Sequence, residues 1–217
     1  MTFTKKISTA AFIAASFAAA AGANAQSIDV RVIGTITPAA CTPTIAGGGV
    51  IDFGIIPAAS LNTTSFTQLP TKSVPFSISC DAPTYVAITA VDNRADSAVT
   101  NIIGTQQNYI FGLSKAANAN IGGYVMELEQ GSFTADGKSV LTVSSNDGGT
   151  TWGVSTYGRL PQGALRSWSL TSNGTPVAFT NLAGTFAVTA AINKAEELPL
   201  RDEIQLDGLA TLEMVYL

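Results

Sequence analysis

The stretch SIDVRVIGTITPAAC, residues 27–41, decides the fold class that this sequence predicts. Every second position in it carries an apolar residue or glycine, and these positions are Ile28, Val30, Val32, Gly34 and Ile36. Side chains of an extended strand alternate between two faces, so these residues share one face. The segment lies before the first cysteine. It therefore predicts a strand that either pairs within its own domain or inserts into another molecule.

The residues before this strand have the layout of a secretory signal peptide. Lys5 and Lys6 give a basic start, an uncharged alanine-rich run covers residues 7–22, and residues 23–25 read Ala-Asn-Ala, a small-x-small cleavage signal. A membrane anchor is the alternative, but the run is short for about 30 Å of hydrocarbon. We expect cleavage after Ala25, an extension over residues 26–38 and one β-sandwich domain over residues 39–217.

Composition excludes several classes of partner. The chain has 11 basic and 15 acidic residues, and cleavage removes two lysines, so the balance becomes 9 minus 15, or −6. An acidic chain without a basic cluster is a poor candidate for binding nucleic acid or anionic membrane. Few charged residues together with much Gly, Ala, Ser, Thr and Val favour β-structure with many turns.

Short β-like runs recur along the whole mature chain, separated by turn residues. They cover residues 50–56, 74–80, 85–91, 109–113, 124–128, 139–143, 151–156, 165–170, 177–180, 184–192 and 204–217. Many short strands at this spacing predict a sandwich or barrel. The only candidate helix is a short one within residues 94–103.

The chain ends on an apolar strand pattern. Alternating residues Ala210, Leu212, Met214 and Tyr216 predict one face of a strand that runs to Leu217. Chain ends are usually frayed and polar, so an apolar end implies burial. Two readings stay open, a central strand of the domain or a strand that packs against a partner.

The two cysteines, Cys41 and Cys80, predict a disulfide, because a secreted protein with an even count usually pairs them. A metal pair or a cysteine nucleophile is the alternative. The chain contains no histidine, the usual partner in both.

The sequence offers no catalytic constellation, and we expect neither an enzyme nor a metal or cofactor. Glu127 and Glu129 would share a strand face, but a solvated outer face explains them better than a glycosidase pair. Trp152, Trp168 and several tyrosines are candidates for a sugar site, although sandwich cores routinely hold such residues.

The chain resembles fimbrial subunits (pilins) of the bacterial chaperone–usher pathway, in a divergent branch. The resemblance rests on the alternating extension with Gly34 on its apolar face, followed by Pro-Ala-Ala-Cys at residues 38–41. It rests further on Asp-Phe-Gly at residues 52–54, on Phe-x-Ile-x-Cys at residues 76–80, and on an ending with an aromatic next to last, residues 210–217. These motifs bracket the mature chain, while residues 92–195 match only in general β-character.

The resemblance implies an incomplete immunoglobulin-like sandwich that lacks its last strand. A neighbouring subunit completes it by donor-strand complementation, after delivery by a periplasmic chaperone and an outer-membrane usher to a surface fimbria that supports adhesion. Residues 28, 30, 32 and 36 would fill the groove, and Gly34 would sit where a side chain has no room. The terminal residues Ala210, Leu212, Met214, Tyr216 and Leu217 would form a groove wall and dock to the chaperone. The alternative is a self-contained secreted adhesin or carbohydrate-binding module.

Overall fold

The structure is a computed structural model that describes residues 30–35 and 40–217. Residues 30–35 belong to a unit that ends at Thr37, and residues 40–217 belong to a second unit. Residues 30–35 form no helix or strand, and all of them are exposed. The predicted signal peptide over residues 1–25, and Ile28 and Ile36 of the predicted donor strand, lie outside the described residues.

Between residues 41 and 216 the chain forms fifteen strands and five short 3-10 turns, joined by loops. The strands are β1 Cys41–Ile45, β2 Thr67–Gln68, β3 Lys72–Thr84, β4 Val86–Asp92, β5 Phe111–Gly112, β6 Lys115–Ala116, β7 Ala119–Asn120, β8 Gly122–Leu128, β9 Thr134–Ala135, β10 Lys138–Ser139, β11 Leu141–Ser145, β12 Gly153–Val154, β13 Leu165–Ser169, β14 Phe179–Ile192 and β15 Ala210–Tyr216. The 3-10 turns are Ala46–Gly49, Ala58–Ser60, Ala95–Ser97, Gln107–Tyr109 and Ala195–Glu197. In the described part of the chain, no helix is long and apolar enough to span a membrane.

The strands form two main antiparallel sheets. One runs in the order β1-β3-β14-β8-β5, with β2, β9 and β10 attached beside this path. The other runs in the order β12-β11-β13-β4-β15. A small third sheet pairs β6 with β7. The long strand β14 organises the first sheet, because it pairs β3 along one edge and β8 along the other.

One hydrophobic core joins the two main sheets. Phe76 and Ile78 alternate with Ser77 and Ser79 on β3, and only the two apolar side chains are fully buried. From the other sheet, Trp168 stacks on Phe76 with ring centroids 6.4 Å apart. The two sheets therefore pack face to face as a sandwich, and this confirms the predicted all-β class.

A glycine on β14 lets an aromatic ring reach the backbone. A Cβ added at Gly184 would lie 2.5 Å from the ring of Phe133, closer than real carbon contacts. Phe133 is fully buried and packs against both Phe76 and Trp168. Glycine is the residue that leaves room for this close approach.

Three sequence predictions about elements are wrong in detail. Residues 50–56 form no strand, because the three glycines 47–49 adopt positive φ and turn the chain away from the β1 ladder. Residues 204–209 also stand outside the terminal strand, which begins at Ala210. The candidate helix within residues 94–103 is only the 3-10 turn Ala95–Ser97.

Candidate functional site

Two edge strands lie on the same side of the sandwich. Strand β1 is the last strand of the first sheet and pairs only β3, while β15 is the last strand of the second sheet and pairs only β4, within the described residues. The terminal strand is therefore an edge strand of its sheet and not the central strand of the first reading, while its packing against a partner stays a prediction. An edge strand presents a row of backbone N–H and C=O groups that another strand can pair.

An apolar cleft of about 360 Å³ opens between β1 and β15, and we call it the edge cleft. Its lining residues are Pro43, Thr44, Ile45, Gly48, Gly49, Phe76, Ile88, Leu212 and Met214. Phe76 and Ile88 are almost fully buried, and each also belongs to the main core. Around this buried floor, Ile45, Leu212 and Met214 are only partly buried, so the edge cleft is a place where apolar side chains at the margin of the core stay partly exposed.

The terminal strand supplies one wall of the edge cleft. Leu212 and Met214 are half-buried and pack against the core, whereas Thr211 and Glu213 between them are exposed. This alternation matches the predicted strand face from Ala210 to Met214, but not at its end, where Val215 is half-buried and Tyr216 is exposed. Ala210 is also half-buried against the core, but it does not line the edge cleft.

Tyr216 connects the two edge strands. The backbone N–H of Cys41 on β1 donates a hydrogen bond to the Tyr216 hydroxyl at 3.0 Å. From this contact, β1 and β15 continue along the two sides of the edge cleft. The Tyr216 ring is half-exposed, and the backbone N–H of Leu217 donates to the carbonyl of Tyr85, the residue between β3 and β4.

A second cavity, of about 640 Å³ and with a mixed polar and apolar lining, lies along the continuation of the same two chain segments. Residues 51–61 follow β1 and line one side, and residues 198–206 precede β15 and line the other. Ile51, Phe53, Ile204 and Leu206 are partly buried against the core. The alternation that predicted strands at these places therefore reflects real burial, although no backbone ladder forms there.

The disulfide prediction is confirmed. Cys41 and Cys80 are bonded and lie directly opposite each other on β1 and β3. The bond fastens the first residue of the edge strand to the sheet beside it. It therefore holds β1 in place at the end of the edge cleft where Tyr216 makes its contact.

The described part of the extension is exposed. Val30 and Val32 are 84% and 92% exposed, and Ile33 between Val32 and Gly34 is also exposed at 79%. Among the residues that the structure describes, none has an atom within 4 Å of a Cβ added at Gly34. These exposed valines lie on a segment with strand periodicity and present apolar surface to solvent.

Sequence reasoning found one wall of the edge cleft and missed its floor and far wall. In the sequence, Phe76 stands out only as part of the Phe-x-Ile-x-Cys motif, and no pattern marks Ile45 or Ile88 as cleft residues. Strand periodicity shows which face of a strand is apolar, but it does not show which strand is last in its sheet.

Side chains that could bind a metal ion are scattered over the described part of the chain. Among residues 30–35 and 40–217, no group of three or more His, Cys, Asp or Glu side chains is placed to hold a metal ion. Glu127, one of the two acidic residues considered in the sequence, pairs with Arg159 at 2.6 Å and is only partly exposed. Its role in the structure is thus an ion pair rather than a fully solvated charge.

Comparison with known proteins places the chain in a family. A model described as "Protein of unknown function (DUF1120)" matches residues 30–142. The "Uncharacterized protein YhcF" of Escherichia coli K12 is 33% identical, with 97% of each chain covered. "Protein GltF" of the same organism is 30% identical over the full length of both chains. The chain therefore belongs to the DUF1120 family.

Proposed function

We propose that this chain is a structural subunit of a bacterial surface fimbria, in which each subunit completes the fold of its neighbour with a donor strand. The edge cleft carries the proposal. Two sheets share one core, yet at one side both end in edge strands whose cleft residues Ile45, Leu212 and Met214 stay only partly buried. An extended segment added there would pair an open edge and cover these apolar side chains at once.

The occupant we propose is the segment of residues 27–36 from a second copy of the chain. Its ten residues reach roughly 33 Å when extended at about 3.3 Å each. The five residues of β1 need only roughly half of this length, so the remainder extends toward the second cavity. The segment carries apolar residues on one face, as the apolar lining of the edge cleft requires.

Donor segment and acceptor cleft lie on different parts of one chain, so the contact is head-to-tail. Such contacts propagate into open fibres when the rotation does not close a ring. On the basis of the pilin resemblance, the proposal also includes an immunoglobulin-like sandwich, secretion through the periplasm and a role in adhesion. It also assigns a periplasmic chaperone and an outer-membrane usher as partners during delivery.

The self-contained reading is the competing arrangement. In it, residues 27–36 fill the edge cleft of their own chain, and the protein remains a monomer. Both arrangements bury the same apolar face, so multimer formation, rather than burial of the segment, distinguishes them.

Paired substitutions on the two faces of the extension test the proposal. Val32→Asp would place an unpaired carboxylate against the apolar cleft, which costs several kcal/mol. Ile33→Asp introduces the same charge one residue later, on the face that would point to solvent, and serves as the matched control. Unheated samples of native material should give a ladder of SDS-resistant multimers for the unchanged chain and for Ile33→Asp, but not for Val32→Asp. An unchanged ladder for Val32→Asp, or a single monomer band for the unchanged chain, would contradict the proposal.

A second experiment addresses delivery by the chaperone. Removing Tyr216 and Leu217 takes away the contact with Cys41 and the end of an edge strand, so we expect loss of co-purification with the chaperone and depletion from the periplasm. Glu213→Gln changes only an exposed charge and should alter stability by no more than about 0.5 kcal/mol. Normal fibre levels from the truncated chain would show that the terminal residues have no role in delivery.

A further inference from the structure

A polar cavity of about 790 Å³ lies at another part of the sandwich. Its lining includes Ser144 of β11, Val154 of β12 and Arg166 of β13, together with the loop of residues 101–109 and the segment 154–159. These strands lie toward the edge of their sheet that is opposite to β15, and the cavity shares no lining residue with the edge cleft. Its volume is in the range of small-molecule sites.

Arg166 is the most unusual residue of this cavity. It is only 3% exposed, and no described carboxylate lies within salt-bridge distance of it. Buried charges in proteins are normally paired, because taking an ion out of water without a counter-charge is costly. Burial lowers the pKa of the Arg166 guanidinium, and the nearby Tyr109 phenol acts in the opposite direction.

The hydrogen bonds of Arg166 leave part of its guanidinium free. Its Nε donates to the backbone carbonyl of Arg159 at 2.7 Å, and one Nη donates to the carbonyl of Leu165 at 3.3 Å. A guanidinium has five N–H donors. Even if the Tyr109 hydroxyl takes a third, two donors have no acceptor among the described residues. An anionic ligand would supply both the acceptors and the missing charge.

The other charge in the cavity is already balanced. Arg159 forms its ion pair with Glu127, and its guanidinium lies 5.3 Å from the centre of the Tyr157 ring. The lining residues include neither Asp nor Glu, although the chain as a whole is acidic. Arg166 is therefore the cation that would meet an incoming anion.

The segment that carries Tyr157 and Arg159 is held firmly in place. Leu128 donates to the carbonyl of Gly158, and Leu160 donates to that of Met126, so the segment continues the sheet beside β8. A Cβ added at Gly158, where φ is +66°, would lie 1.8 Å from the carbonyl oxygen of Leu128. Only glycine permits this approach, which places the cavity wall directly against β8.

We propose that this cavity binds a carboxylate-bearing sugar, with the carboxylate on the free donors of Arg166. The planar guanidinium matches the two oxygens of a carboxylate. The side chains of Asn101, Gln106, Ser144 and Thr156 supply neutral donors and acceptors for hydroxyl groups. The ring of Tyr157 is 67% exposed and offers an apolar surface for the sugar body. The inference does not rest on the proposed fibre assembly.

Saturation-transfer difference NMR on the purified full chain tests the inference, because the method tolerates weak ligands and large assemblies. The probes are D-glucuronate, D-glucose, acetate and inorganic phosphate. We expect glucuronate to bind about tenfold or more tightly than glucose, as a charge-assisted contact implies. We also expect it to bind more tightly than acetate and phosphate. If glucose binds as tightly as glucuronate, the role assigned to Arg166 is wrong. If acetate binds as tightly, or phosphate binds more tightly, the ligand is not recognised as a sugar. If glucuronate does not bind at millimolar concentration, the whole inference is wrong.

Variants separate binding from folding. Tyr157→Ala changes an exposed ring and should weaken glucuronate binding about fivefold, whereas Tyr85→Ala, at a half-exposed ring outside the cavity, should leave binding unchanged. Arg166→Lys keeps the charge but loses the planar fork, and we expect a loss of about tenfold or more. Its thermal unfolding is measured in parallel. If Arg166→Lys fails to fold, Tyr157→Ala decides the outcome, and equal affinity of Tyr157→Ala and the unchanged chain would contradict the inference.

Discussion

Leu212→Ala is the perturbation whose effect on the edge cleft follows most directly from the structure. Fully burying a leucine side chain contributes about 1.5–3 kcal/mol. Leu212 is half-buried, so roughly half of this gain, about 1 kcal/mol, remains for a strand that covers it. Since 1.4 kcal/mol corresponds to a tenfold change in a binding constant, the affinity of the edge cleft for the donor segment should fall about fivefold.

A peptide of residues 27–36 supplies the assay. A chain that begins at Thr37 is refolded with the fluorescent peptide, and excess unlabelled peptide then displaces it. Most affinity differences between related complexes appear in the dissociation rate, so Leu212→Ala should release the peptide about fivefold faster. Leu170→Ala is the control, because Leu170 is 45% exposed and does not line the edge cleft. Equal release from Leu212→Ala and the unchanged chain, or equal acceleration by Leu170→Ala, would refute the assignment of the edge cleft.

Three predictions concern the fold around the edge cleft, and urea unfolding of the peptide-bound chain measures each of them. Replacing both Cys41 and Cys80 by serine removes a disulfide that joins residues 39 apart in sequence, and it should lower the free energy of unfolding by about 4 kcal/mol. An unchanged free energy of unfolding would show that the disulfide does not constrain the unfolded chain. Gly184→Ala should cost about 1–3 kcal/mol because the added methyl meets a buried ring, whereas Gly153→Ala, with open space around it, should cost less than about 1 kcal/mol; equal costs would contradict the packing account. Tyr216→Phe removes the acceptor for a backbone N–H and should cost about 1 kcal/mol, and an unchanged free energy would show that water replaces the hydroxyl.

The sequence predicted the parts of this fold that depend on local alternation. Phe76 and Ile78 alternate with serines on β3, and Leu212 and Met214 alternate with exposed residues on β15, so periodicity located these faces correctly. The disulfide followed from an even number of cysteines in a chain with a signal-peptide pattern. These inferences need no knowledge of which strands are neighbours.

The parts that depend on long-range pairing were beyond the sequence. Residues 50–56 alternate like a strand, but three glycines with positive φ lead them out of the β1 ladder. Strands β1 and β15 are edge strands because each pairs with one strand that is distant in sequence and no further described strand pairs on its other side. The periodicity of a strand indicates neither its partners nor how many it has. The importance of Arg166 likewise cannot be predicted from the sequence, because the residues around it in the chain do not show that its side chain is buried without a carboxylate partner.

The central claim is that residues 27–36 of one chain fill the edge cleft of another. A photoreactive amino acid in place of Val32 reports the position of the segment, and assembly from a mixture of isotopically light and heavy chains reports which chain it reaches. The account predicts cross-linked peptides that join a light chain to a heavy chain and map to β1 or β15, near Ile45, Leu212 or Met214. Cross-links formed only within one chain, or mapping away from the edge cleft, would contradict it.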